Sequence, residues 1–177
     1  VDVGGRVFVT GRAKDVIIRG AHNIDPGMIE SALLRHPSVL MAAAVGEPDA
    51  YAGELPVAFV SLKPGHQATA EELLAFVAPL IAERPAVPKR IRVLPAVPMT
   101  AVGKVYKPRL RAEATREAMA ELLARHGLSD RASVEVSETA GGLSVRYRVS
   151  EPSAEPTIRE LMKPFALSFE VVQTSAE

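Results

Sequence analysis

Pro98-Met99-Thr100-Ala101-Val102-Gly103-Lys104-Val105-Tyr106-Lys107-Pro108-Arg109-Leu110-Arg111 sets one lysine on a glycine-preceded loop just ahead of a helix start. Pro108 brings the fixed φ that suits a first helical turn. Leu110, Met119, Leu122 and Leu123 then mark the apolar positions of a long helix, and Gly127 closes it as the C-cap. The loop before the helix, Pro95 to Gly103, carries prolines and a glycine and is predicted to be stiffened yet irregular. Gly103 lets the backbone turn so that the Lys104 side chain, a point charge on a flexible stem, can be aimed at an anion. A Walker phosphate loop is excluded, because Pro98 stands where its first glycine belongs and Val105 where Ser or Thr would hold magnesium.

Toward the N-terminus, Arg6–Val9 and Val16–Arg19 are short β-branched runs flanking the polar turn Thr10–Asp15, which predicts strand, turn, strand. Asp25-Pro26 is an N-cap and first-turn pair, and Ile29, Ala32 and Leu33 follow at helical spacing until His36-Pro37, giving a helix over about 26–35. Val39–Val45 and Leu55–Leu62 read as paired strands around the turn-rich run Gly46–Gly53. Thr69 and Glu72 make a capping box in front of Leu73, Leu74, Phe76, Val77, Leu80 and Ile81, with Pro79 shortening that helix. Arg90–Leu94 returns as a strand.

Beyond Gly127 the apolar period becomes two. Val134 and Val136, then Val145, Tyr147 and Val149, alternate with polar residues around Thr139–Gly142, which predicts a second hairpin. Pro156–Lys163 reads as a short helix, and Leu167, Phe169 and Val171 as a last strand. The expected class is α+β: a small, mostly antiparallel sheet with helices packed on it in two layers, plus a strand-rich C-terminal extension. The expected domains are residues 1–127 and 128–177.

Lys plus Arg equals Asp plus Glu at 21 each, so no bulk field draws the chain to nucleic acid or an anionic membrane, and any anion site must be local. Without cysteine there is no disulfide framework, thiol nucleophile or thiolate metal site, and a cytoplasmic setting is expected. The histidines, His22, His36, His66 and His126, are too scattered for a metal motif. Apolar runs such as Val39–Val45 are too short for a membrane span. The chain opens on Val1-Asp2-Val3-Gly4-Gly5, and is expected to be a piece of a longer enzyme.

The Gly103-Lys104 segment, together with Gly11-Arg12-Ala13-Lys14-Asp15-Val16-Ile17 and Gly20-Ala21-His22-Asn23-Ile24-Asp25-Pro26, resembles the carboxy-terminal part of the adenylate-forming enzymes: acyl-CoA synthetases, luciferases and peptide-synthetase adenylation domains. The resemblance covers residues 1 to about 126. It implies that Lys104 is the catalytic lysine bridging carboxylate and phosphate oxygens during adenylation, that Arg12 contacts the nucleotide, and that Lys14 is the hinge of a mobile domain. It also implies that the loop Gly20, Ala21, His22 and Asn23 lines the pantetheine tunnel used in thioester formation. Two positions depart from the pattern: Ala21 stands where glycine is usual and Met28 where glutamate is frequent. A methyl group at Ala21 bears on that tunnel if the position needs a positive φ.

The function so implied is that of the C-terminal subdomain of an ATP-dependent acyl-CoA synthetase, making acyl-AMP and then acyl-CoA and inactive without its N-terminal domain. ATP with Mg²⁺ and coenzyme A would serve the full-length enzyme, none tightly bound here, and the substrate would be a fatty or aryl carboxylic acid. Two alternatives stay open. One is an adenylation domain loading a carrier-protein thiol, although the tail lacks an Asp-Ser-Leu attachment motif. The other is a non-catalytic assembly module whose tail from 129 to 173 makes a subunit contact and a homo-oligomer. His22 has no carboxylate or nucleophile placed near it by spacing and is not expected to act as a base. Glu30 is expected to pair with Arg35 or a neighbouring loop. Tyr51, Gly53 and Glu54 fit a Pro-Asp-x-x-x-Gly-Glu loop frequent in the family, with surface recognition and turn geometry equally good accounts.

Overall fold

The computed structural model describes residues 13–139 and 142–174. Arg12 and the strand predicted at Arg6–Val9 lie outside the described residues. Two compact units are present: the first runs to Val45 and resumes at Pro56–Val97, and the second comprises Gly46–Leu55 and the chain from Pro98 onward.

In the first unit a 3-10 turn at Ala13–Asp15 leads into β1 (Ile17–Arg19) and β2 (His22–Ile24), an antiparallel pair in which Arg19 faces His22. The predicted loop over 20–23 is therefore corrected: only Gly20 and Ala21 turn the chain, and His22 and Asn23 belong to a strand. Three residues, two of them polar, are too few to display a period of two.

Helix α1 (Pro26–Leu34) begins where its cap requires, the Asp25 carboxylate accepting from the Gly27 N–H at 2.8 Å. It buries Ile29, Ala32 and Leu33. Glu30 Oε1 accepts from the Ala44 N–H at 2.9 Å, so one partner of this carboxylate is the backbone of β3 (Val39–Asp49).

Strands β3 and β4 (Gly53–Leu62) are neighbours, both longer than predicted. Gly46, Glu47 and Pro48 continue β3 instead of turning. The turn itself lies between Asp49 and Gly53, where Asp49 Oδ1 accepts from the N–H groups of Tyr51 at 3.0 Å and Ala52 at 2.7 Å. β3 lies at the end of the order β2-β1-β4-β3, and an edge strand tolerates proline. Gly46 allows close approach: a Cβ there would stand 2.5 Å from Glu54 Cδ.

Helix α2 (Ala70–Val77) carries the full capping box of Thr69 and Glu72, and Pro79 converts its continuation to a 3-10 turn at Ala78–Leu80. β5 (Ile91–Val93) joins β4 in parallel, whereas β1 and β2 are antiparallel. Ile17, Ile24, Ile29, Leu33, Val60, Leu73 and Val77 form the core of this unit, each buried side chain contributing about 1.5–3 kcal/mol.

The second unit holds α3 (Lys107–Arg125), β6 (Ala132–Thr139), β7 (Gly142–Val149), α4 (Glu155–Met162) and β8 (Ser168–Gln173). Sheet order is β6-β7-β8, the first pair antiparallel and the second parallel. Val145, Tyr147 and Val149 are buried with Ala118, Met119 and Leu123 of α3 and Ile158 and Met162 of α4. The alternate residues carry charge, with Glu135 paired to Arg148 and Glu170 to Arg146. Among the described residues the fold is thus mixed α and β, with four α-helices and two sheets, and the tail is the strand-rich extension read from its alternation.

Candidate functional site: the lysine hairpin

Pro98–Tyr106, in the second unit, is more ordered than its composition predicts. Met99 and Val105 form an antiparallel bridge. Inside it the Thr100 N–H donates to the Lys104 carbonyl at 2.6 Å, and the Gly103 N–H to the Thr100 carbonyl at 2.9 Å. The Lys104 N–H donates to Thr100 Oγ1 at 3.1 Å. At the base, the Tyr106 N–H donates to the Pro98 carbonyl at 2.8 Å. The segment is a small closed hairpin, a correction to the irregular loop expected.

Gly103 has φ +76°, the left-handed region, and a Cβ built there would meet nothing within 4 Å. Glycine is needed for its backbone angle, not for space. Ala101, Val102, Gly103 and Lys104 are all exposed, Val102 at 79%. Among the described residues no carboxylate pairs with the Lys104 ammonium. The hairpin thus pins the backbone of Lys104 and leaves its side chain exposed, and the same hairpin exposes two apolar side chains, Val102 and Met99, the latter at 43%.

A residue that sequence reading passed over holds this segment from outside. Tyr106 Oη donates to Glu138 Oε2, on β6, at 2.7 Å. The carboxylate holds the phenol above its ordinary pKa, mainly through that hydrogen bond. No local signal marks a partner so far along the chain.

In the first unit, Gly20 has φ +57° and no described non-glycine residue has a positive φ. The left-handed position of the β1–β2 turn is therefore Gly20, and Ala21 sits in ordinary backbone; the strain considered for its methyl group does not arise. Gly20, Ala21, His22 and Asn23 are exposed. Arg19 Nη1 donates to the Pro85 carbonyl at 2.6 Å and fastens this hairpin. Lys14, in the 3-10 turn, is exposed. Met28 is half-buried against the core, an apolar use for that position. Tyr51 is fully exposed at the β3–β4 turn, and Gly53 has φ +79°. Among the described residues no group of three or more His, Cys, Asp or Glu could hold a metal ion, and no helix is long and apolar enough to cross a membrane.

Residues 28–104 match the family described as the AMP-binding enzyme C-terminal domain. A marinolic acid–CoA ligase from a Pseudoalteromonas species is 52% identical over 60% of this chain and 16% of that protein. A long-chain-fatty-acid–CoA ligase of Bacillus subtilis is 41% identical over 65% of this chain and 20% of its own length. The chain thus spans about a fifth of the curated relatives it matches. Among solved structures, ATP-bound MatB from Rhodopseudomonas palustris superposes with a TM-score of 0.57 at 32% identity, covering 63% of this chain and 22% of that one. The amide bond synthetase McbA from Marinactinospora thermotolerans does so with 0.55 at 34% identity, covering 62% and 22%.

Proposed function

From the match of residues 28–104 to the AMP-binding enzyme C-terminal domain family, we propose that the chain is a member of that family and the lysine-bearing part of an ATP-dependent acyl-CoA synthetase. The observation that carries this reading is the Gly103 hairpin, which fixes the backbone of Lys104 and leaves its cation exposed. In the reaction a carboxylate oxygen attacks the α-phosphate of ATP and pyrophosphate leaves, so two anions must be brought into contact. Lys104 lies between them, donating to both, and its charge offsets the crowding most strongly as the new bond forms. Met99 and Val102, exposed apolar side chains of the same hairpin, would shed water readily on docking, and a drier site strengthens that interaction.

The rest of the machinery follows from the same premise. A preceding domain holds most of the ATP, its Mg²⁺ and the carboxylic acid, which is fatty or aryl; Arg12 adds a planar fork to the nucleotide. Lys14 is the hinge about which the small domain turns. The exposed Gly20–Asn23 edge then lines the passage for the pantetheine of coenzyme A, and the ordinary backbone of Ala21 supports its use without rearrangement. We assign residues 1–127 to this mobile domain and 128–177 to an appended element, in a cytoplasmic enzyme.

A CoA thiol is preferred as acceptor because the highly similar curated relatives are named CoA ligases. The likeness to an amide bond synthetase supports a second reading, in which an amine takes the acyl group. Supplying the longer enzyme with acyl-adenylate and either coenzyme A or a primary amine distinguishes them: thioester formation is the expected result, and amide with no thioester would overturn it.

A further inference from the structure

The tail lies outside the family match, yet one of its side chains reaches the segment that bears Lys104. Tyr106 is held twice. Its N–H closes the base of the lysine hairpin on the Pro98 carbonyl at 2.8 Å, and its hydroxyl donates to Glu138 Oε2 at 2.7 Å. Tyr106 is also the N-cap residue of α3, where it makes no side-chain cap; its side chain is spent on Glu138 instead. The backbone of Glu138 is held in the β6–β7 ladder, where it faces Leu143, and the neighbouring Thr139 Oγ1 donates to the Gly142 carbonyl at 2.9 Å. The sheet beneath is anchored to α3 through the shared core of Met119, Leu123, Val145 and Tyr147.

We infer that Glu138 is a positioning residue for Lys104: through Tyr106, the tail's β6–β7 hairpin holds the base of the Pro98–Tyr106 turn and so fixes where the lysine is presented. The inference rests on the adenylation role proposed for Lys104 and gives the appended tail a task in that reaction. A carboxylate is a suitable anchor because a hydrogen bond to a charged acceptor is stronger than one between neutral groups. The raised phenol pKa reports the same contact.

Amide hydrogen exchange on the 177-residue chain tests the contact without requiring catalysis. Glu138→Ala and Tyr106→Phe are expected to speed exchange of the Gly103, Lys104 and Tyr106 amides roughly three- to tenfold. Glu138→Gln, which keeps an acceptor oxygen, is expected to restore most of the protection. The Val145 and Tyr147 amides, unchanged in all three variants, certify folding, and Tyr106→Phe gives an independent readout if Glu138→Ala disturbs the hairpin. In the longer enzyme the same two variants should lower kcat for adenylate formation while leaving KM for ATP near its original value, with Gln again rescuing. Unchanged exchange at 103–106, or Gln behaving as Ala does, overturns the clamp. A response in exchange with kcat unaltered overturns its role in positioning. Failure of the Lys104 assignment is read separately, from adenylation by Lys104→Ala.

Discussion

At Gly103 the backbone sits at φ +76° with open space around the missing Cβ. Any L side chain there must pay about 1–2 kcal/mol for the left-handed conformation or unwind the turn. Gly103→Val is therefore expected to cost no more than about 1–2 kcal/mol, less where the exposed turn unwinds instead, and to loosen the bridge between Met99 and Val105. Adenylation by the longer enzyme should fall at least about tenfold, by misplacement of Lys104, with the melting temperature lowered by only a few degrees. A Val variant with full activity would mean that the hairpin geometry is irrelevant. This residue was legible in sequence because a glycine before a lysine in a loop is a local pattern. The Tyr106–Glu138 contact was not, since nothing in the neighbourhood of either residue specifies a partner 32 positions away.

Elements whose ends are set by their own side chains were the readable ones. Asp25 and the Thr69–Glu72 box start α1 and α2 as predicted, because a cap is satisfied within three residues of itself. Thr69→Ala should destabilise the first unit by about 1 kcal/mol, measurable by urea denaturation, and Thr69→Ser should not. The β3 extension through Gly46-Glu47-Pro48 was unreadable, because turn-forming residues can also mark a close cross-strand approach and a sheet edge. On the β6–β7 face, two N–H donors of Arg148 hold the Glu135 carboxyl below the usual carboxylate range. A depressed carboxylate stabilises above its unfolded pKa, and that contribution is lost as pH falls through the folded value. The melting-temperature gap between the original chain and Glu135→Gln is thus expected at neutral pH, to close as pH falls below the ordinary glutamate range and to shrink with salt. A gap that widens in acid would contradict the pairing.

At the scale of the molecule, the described residues form two cores, and the second joins α3 to the tail. Tyr147 is 1% exposed, with its hydroxyl 3.0 Å from Met162 Sδ, and burial pushes its phenol well up. Tyr147→Ala is expected to cost about 3–5 kcal/mol, seen in denaturant midpoints and in lost protection along β7; a cost below about 1 kcal/mol would show that the tail is not part of a packed core. Alternation in the tail announced its strands, whereas their burial against α3 is a tertiary fact that no window of sequence contains.

The role proposed for Lys104 is specific to adenylation, so it is tested by separating the two half-reactions. In the longer enzyme, acid-dependent exchange between ATP and pyrophosphate is measured beside thioester formation from supplied acyl-adenylate, for the original protein and for Lys104→Ala. Loss of about a hundred- to a thousandfold in the exchange, with thioester formation nearly intact, is the result predicted for a cation acting on the adenylation transition state. Undiminished exchange by Lys104→Ala would contradict the account.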